Sequence, residues 1–265
     1  MQIILASAKI MNPDKERYEQ GALPPTSEPP FLRAAERFAQ EMAGRSVEEL
    51  QAELKCNRQL AAETKLRYQE FPNPNCRLPA VLAYFGQAYK CLDAASLNAD
   101  DLLFANRRLW ILSFLYGMLR PLNHIHPYRM EGKVMTGVSA GRTMFEYWKP
   151  VLTDFLIDNV KADDGILVHL ATAEYQQLFD WKRVLSEVCV VQPRFYVQKG
   201  DELKNITVYA KSCRGAMTRH IIRNRATLPE QLTDFEYNGF RIVPRSVGET
   251  LPKSGPVEWL WTARG

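Results

Sequence analysis

Three patterns of apolar and polar positions run along this chain. Continuous apolar runs mark buried strands at Met1–Ala6 (MQIILA) and Gly165–Ala171 (GILVHLA). Spacings of three and four mark helices. Phe31, Ala34, Ala35, Phe38 and Met42 form one stripe, and Phe145, Trp148, Leu152, Phe155, Leu156 and Val160 another. Pro150 lies inside the second stripe and is expected to break or kink it. Ser46 followed by Glu49 reads as a capping box opening a helix towards Lys55, and a further helix is expected near 59–68.

A third apolar run, Leu109–Leu115, reads as the buried end of a helix entered at Asn98 or Asp100. Residues 184–197 and 205–210 are β-rich, separated by a hairpin-like turn at Lys199-Gly200-Asp201. Lys211–Arg225 reads as a helix with Cys213, Met217 and Ile221 as its apolar stripe. Phe240–Val243 and Val257–Trp261 are the final strands. Residues 12–30 hold five prolines and form a loop. No regular βαβ rhythm and no internal repeat is visible. The expected architecture is one compact α+β domain over 1–265, a mixed sheet surrounded by helices, rather than a doubly wound fold.

Composition agrees with an ordinary globular chain: 46% hydrophobic and 24% charged over 265 residues. The net charge of +4 is too small to argue for nucleic acid without a clustered distribution. Five scattered cysteines, with no signal peptide and no CxxC, point to reduced thiols in a cytoplasm. No apolar run approaches the roughly 18 residues of a membrane span, so no membrane partner is expected. GxGxxG, P-loop, GxSxG and HExxH patterns are absent. His124 and His126 lack the acids or cysteines of a metal site, and neither metal nor cofactor is implied.

Polar groups gather instead at the ends of elements. Ser7 and Lys9 follow the first strand; Thr172, Glu174 and Tyr175 follow the second. Arg120, Tyr128 and Arg129 sit in a loop stiffened by Pro121 and Pro127. Lys211 and Arg214 lie beside the apolar stripe of their helix, whereas Arg219 and Arg223 lie on its far face. Lys9, Arg120, Arg129, Glu174, Lys211 and Arg214 are expected to line one concave surface, because three of these clusters follow strands ending at Ala6, Ala171 and Ala210. Such a surface would be positive with one carboxylate, and arginines there would suit phosphate.

Several blocks resemble the peroxide-stress protein YaaA family. LYGMLRPLNHIHPYRME is similar to its LYGxLRPLDxxxPYRxE, Ser7-Ala8-Lys9 to its SPAK, and LATAEY to its NLASxEY. YAKSCRGAMTR, which carries Lys211, Arg214 and Arg219, is similar to its YAKxARGxMxR, and the PEQLTDFEYNGF tail is similar as well. The resemblance implies a cytoplasmic protein linked to hydrogen peroxide stress, a positive cleft, a helix-hairpin-helix element and DNA binding. Ser113–Gly117 is the candidate hairpin, with Phe114 where a glycine is expected. Phe85, Gln87, Asn123 and His169 stand where the family pattern carries lysine, aspartate, aspartate and asparagine.

Three functions compete. The first is a DNA-binding stress protein, or one holding another phosphate-bearing ligand, through Ser7, Arg120, Tyr128, Arg129, Thr172, Tyr175, Arg214 and Arg219. The second is an enzyme acting on a nucleotide or damaged base, with Lys9 or Lys211 as nucleophile beside Glu174. The third is a thiol peroxide sensor at Cys213, activated by Arg214.

Overall fold

A computed structural model describes residues 1–11, 23–247 and 250–264. In chain order the elements are β1 (Gln2–Ala6), α1 (Leu32–Gly44), α2 (Val47–Leu54), α3 (Arg58–Gln69), β2 (Leu78–Pro79), α4 (Ala80–Ala83) and α5 (Gln87–Leu92). Next come α6 (Ala99–Arg108), β3 (Leu109–Ser113), β4 (Gly117–Leu119), β5 (His124–Ile125), α7 (Met144–Lys161), β6 (Ile166–Leu170) and α8 (Ala173–Gln176). The chain closes with α9 (Trp181–Glu187), β7 (Cys189–Lys199), β8 (Glu202–Lys204), α10 (Thr207–Arg223), β9 (Arg241–Ile242) and β10 (Gly255–Arg264).

Side-chain caps open five of the ten described α-helices, α9 among them through Asp180. Ser46 and Glu49, Asn98 and Asp101, and Thr143 and Glu146 each form a reciprocal capping box. Asn57 caps α3 through the Leu60 amide. Pro150 lies within α7 without ending it; Trp148, Leu152 and Leu156 bury the same face on either side. The turn expected at Lys199–Asp201 is present, with Gly200 at φ 61° between the antiparallel β7 and β8.

Among the described residues one eight-stranded sheet runs β4-β3-β1-β6-β7-β10-β9, with β8 on β7. Five of its strands, β3, β1, β6, β7 and β10, are mutually parallel; β4, β8 and β9 add antiparallel edges. The molecule is therefore a single compact α/β domain built on a mixed sheet, with a parallel centre that the irregular sequence rhythm concealed. From β1 the chain goes to β3 on one side and later to β6 on the other. The topological switch point falls between β1 and β6, where the strand ends splay into a crevice.

Three element assignments change; one is Val184–Glu187, expected to be β-rich, which lies in α9 ahead of β7. Leu109–Ser113 is not a helix end: α6 stops at Arg108 and the apolar run becomes β3. All five β3 side chains are buried, so both faces of the strand are covered and no alternation betrays it. Asn205–Ala210 is not β-rich. Helix α10 begins at Thr207, with Val208 and Tyr209 exposed and Ala210, Cys213, Met217 and Ile221 facing inward at helical spacing. The candidate helix-hairpin-helix turn at Ser113–Gly117 is a β-hairpin joining β3 to β4, with Gly117 at φ +71°. Part of the 12–30 loop, residues 12–22, lies outside the described residues. From there Ser27 bridges to Asn123.

Candidate functional site

The C-terminal ends of β1 and β6 open on a cavity of about 300 Å³. Ser7, Ala8 and Lys9 leave β1 into one wall, and Leu170, Thr172, Glu174 and Tyr175 leave β6 into another. Gly86–Tyr89 at the start of α5 and Lys211 and Arg214 of α10 complete it. Close backbone approach makes this geometry possible. A Cβ on Gly86 would lie 2.7 Å from the Ala8 Cβ, and one on Gly215 only 1.8 Å from the Ala88 carbonyl oxygen. The two glycines let α5 press against the end of β1 and against α10.

Beneath the cavity lies a layer of buried hydroxyls. Ser7 Oγ and Tyr175 Oη share a hydrogen bond of 2.8 Å. Tyr128 Oη is bonded to Ser113 Oγ at 2.6 Å and to Tyr84 Oη at 2.8 Å. The Tyr89 hydroxyl donates to the Ala6 carbonyl at 3.1 Å. Burial raises the pKa of Tyr84, Tyr89, Tyr128 and Tyr175, so all four stay neutral hydroxyls. The Tyr175 ring is fixed by stacking on Phe114, with centroids 4.5 Å apart. Thr172 Oγ1 is buried and has no hydrogen-bond partner among the described residues.

The charged groups differ in how they are held. Lys9 Nζ sits 2.6 Å from Glu131 Oε2, and Glu131 in turn holds Arg129 at 3.2 Å. Arg214 is half-buried and forms no ion pair among the described residues. Burial, and then the charge of Arg194, lower its pKa. Lys211 and Glu174 are exposed at the rim.

Lys9, Glu174, Lys211 and Arg214 thus meet in one cavity with Ser7, Thr172 and Tyr175, although one premise of that expectation fails. Ala210 ends no strand; Lys211 and Arg214 reach the cavity from within α10. Arg120 is elsewhere. Its guanidinium lies 3.4 Å from the Trp110 ring centroid and donates to Gln2 Oε1 and the Arg107 carbonyl, both at 3.1 Å. Gln2 begins β1 and Ser7 follows its end, a separation of about 16 Å at strand rise. Arg129 stands behind Glu131, outside the lining, and Tyr128 lies in the hydroxyl layer below. Arg219 closes the C-terminus of α5 through the Leu92 and Asp93 carbonyls at 3.0 and 2.9 Å.

The sensor reading of Cys213 also fails. The thiol is fully buried, and burial pushes its pKa up to about 12, the opposite of activation. Glu131, Gln87 and Ser113 join the residues expected from the sequence: Glu131 ends the PYRME block and Gln87 marks a departure from the family pattern. Gln87 Nε2 donates to Ser212 Oγ at 2.9 Å, tying α5 to α10. Among the described residues no group of three or more His, Cys, Asp or Glu is placed to hold a metal. No described helix is long and apolar enough to cross a membrane.

The parallel centre of this α/β sheet opens at its switch point on a polar crevice, the place where open α/β sheets commonly carry ligand sites. The chain belongs to the family of peroxide stress protein YaaA, whose model matches residues 1–246. It is 42% identical to a UPF0246 protein of Bacteroides fragilis over 251 residues, covering 94% of this chain and 96% of that one. A UPF0246 protein of Phocaeicola vulgatus is 45% identical over 218 residues, 82% of this chain and 86% of the relative. One from Legionella pneumophila is 34% identical over 246 residues, covering 91% and 93%.

Proposed function

We propose that this is a cytoplasmic protein of the hydrogen peroxide stress response that binds DNA or another phosphate-bearing ligand at the β1/β6 crevice. The observation that carries this reading is Arg214: a half-buried guanidinium with no carboxylate partner among the described residues, facing the same cavity as Lys211 and Lys9. A buried cation without an internal counterion gains most from a ligand that brings one. Guanidinium and hydroxyl donors together suit phosphate oxygens. The cavity is the size of a small-molecule site, so it would seat a nucleotide or one nucleotide unit of a strand.

The test is fluorescence anisotropy with labelled single-stranded and duplex oligonucleotides and a labelled nucleotide, at low and moderate salt. Affinity should fall steeply with salt, because phosphate contacts release counterions. Arg214→Glu should weaken binding at least about tenfold, whereas Lys182→Glu, an exposed reversal on α9, should change it little. Salt-independent binding, or equal losses for the two variants, would overturn the reading.

A second reading is favoured by Glu174 sharing the cavity with two lysines. In it a lysine amine attacks the C1′ aldehyde of an abasic site, water leaves, and an imine forms. Lys9 is held by Glu131, which makes Lys211 the stronger nucleophile candidate. Borohydride would reduce that imine to a stable adduct. No adduct, or one surviving Lys9→Ala together with Lys211→Ala, removes this reading.

A further inference from the structure

Away from the β1/β6 crevice, a larger cavity of about 530 Å³ lies between α1 and the turn that follows α3. Its apolar floor is aromatic: Tyr68, Phe71 and His126, with the Phe71 and His126 rings stacked at 4.3 Å between centroids. Leu32 and Ala43 of α1 and Pro72 and Pro74 of the turn form the sides. This volume and lining fall within the ordinary range of small-molecule sites.

Two polar atoms on residues of this cavity have no hydrogen-bond partner among the described residues, His126 Nδ1 and Arg77 Nε, and both are buried. Their hydrogen-bonding sense can be read from the other contacts. His126 Nε2 lies 2.9 Å from the Asn73 carbonyl, which can only accept, so Nε2 carries the hydrogen. Burial lowers the pKa of His126, so the ring is neutral and Nδ1 is a bare acceptor. His126 itself is 6% exposed. Arg77 Nε is a donor, and the charge of Arg77 is already answered by Glu28, whose two oxygens lie 2.8 and 2.7 Å from Nη1. Glu36 stands exposed on the wall with no ion pair among the described residues. Buried polar atoms are ordinarily satisfied, so an unanswered acceptor and an unanswered donor around one aromatic-floored cavity call for a ligand offering both.

We propose that this cavity is a second ligand site, for an amino-substituted nitrogen heterocycle. The flat ring stacks within the Tyr68, Phe71 and His126 floor. Its amino group donates to His126 Nδ1, and a ring nitrogen accepts from Arg77 Nε. An anionic ligand is disfavoured, because Glu36 faces it and Arg77 is already neutralised. The chemistry is thus the reverse of that at Arg214, and the two sites are independent.

The test uses the full chain and calorimetry with three bicyclic probes: 4-aminoquinazoline, quinazoline and 1-naphthoate. 4-Aminoquinazoline should bind at least about tenfold tighter than either comparator, the worth of a satisfied buried pair. His126→Phe keeps the stacked ring and removes Nδ1; it should weaken that binding about tenfold, and the surface change Glu36→Gln should weaken it less. Arg214→Glu should leave it unchanged. Should His126→Phe fail to fold, the His126 Nδ1 nitrogen resonance of the unmodified protein must still move as 4-aminoquinazoline is added. No binding at millimolar probe, equal binding of 1-naphthoate, or an unmoved Nδ1 resonance would overturn the proposal.

Discussion

Gly215 of α10 faces the carbonyl oxygen of Ala88 in α5, so closely that a Cβ there would lie 1.8 Å from that oxygen. The obstruction is backbone, so no side chain can turn away to relieve it. Gly215→Ala must separate the two helices, and both supply walls of the β1/β6 cavity. Overpacking of this kind costs about 1–3 kcal/mol. Thermal unfolding should show a lowered midpoint, and the variant should bind phosphate-bearing ligands more weakly than its stability loss alone explains. An Ala variant with unchanged midpoint and affinity would mean that the helices part without consequence.

Arg120 belongs to the fold. Its guanidinium is sandwiched on Trp110 and fastens the start of β1 to the end of α6 through Gln2 and the Arg107 carbonyl. Arg120→Lys keeps the charge but loses the planar stack and the forked donors. It should cost about 1–3 kcal/mol in chemical denaturation and leave oligonucleotide affinity of the folded protein unchanged. A large affinity loss without a stability loss would return Arg120 to the site.

What the sequence could disclose followed its periodicity. The α1 stripe, the Ser46 and Asn98 caps and the β1 and β6 runs were legible because one-sided burial and capping leave local marks. β3 was not, since a strand buried on both faces has no period and its apolar run continues a helix without a breaker. The start of α10 was missed because Ile206, Thr207 and Val208 are β-branched, and packing against α5 and β7 overrode that preference. Element ends placed Lys9 and Glu174 at the cavity, whereas Arg214 reaches it from within α10 and not from a strand end. They misled at Arg120, because a loop residue carries no sign of which end of the sheet it faces.

Cys213 is buried against α5, with its thiol pushed up to about 12, so almost no thiolate exists at neutral pH. Cys56, Cys76 and Cys91 are partly exposed. Brief peroxide treatment followed by mass spectrometry should find sulfenate at one or more of these three before Cys213. First labelling at Cys213 would show that α10 opens under oxidation.

His169 gives a pH signature. Burial lowers its pKa to about 3 in the folded chain, and its ring is held by Gln176 and packed edge-on against Trp181. The unfolded chain protonates near the ordinary histidine value, so between roughly pH 6.5 and 3 it binds a proton that the folded chain refuses. Stability from this group is full above that window and falls as pH falls through it, by up to about 1.4 kcal/mol per pH unit. Denaturation of His169→Phe against pH should show a shallower decline from 6.5 downward than the unmodified protein. Parallel profiles would mean that His169 does not govern acid sensitivity in this range.

Glu131 restrains the charge of the crevice. Its carboxylate holds Lys9 at 2.6 Å and Arg129 at 3.2 Å, so two cations near the mouth are already answered internally. The Lys9 side chain is 54% exposed, whereas that of Glu131 is 14% exposed, so the lysine can turn towards a ligand if released. Glu131→Gln preserves the shape and one of the two acceptors while removing the counter-charge. If the cavity binds phosphate, this variant should bind oligonucleotide more tightly, by about three- to tenfold at low salt, and the gain should shrink as salt screens the exposed lysine. Lys9→Met in the same background should abolish the gain. Tighter binding that persists at high salt, or that survives loss of Lys9, would place the added attraction at Arg129 instead.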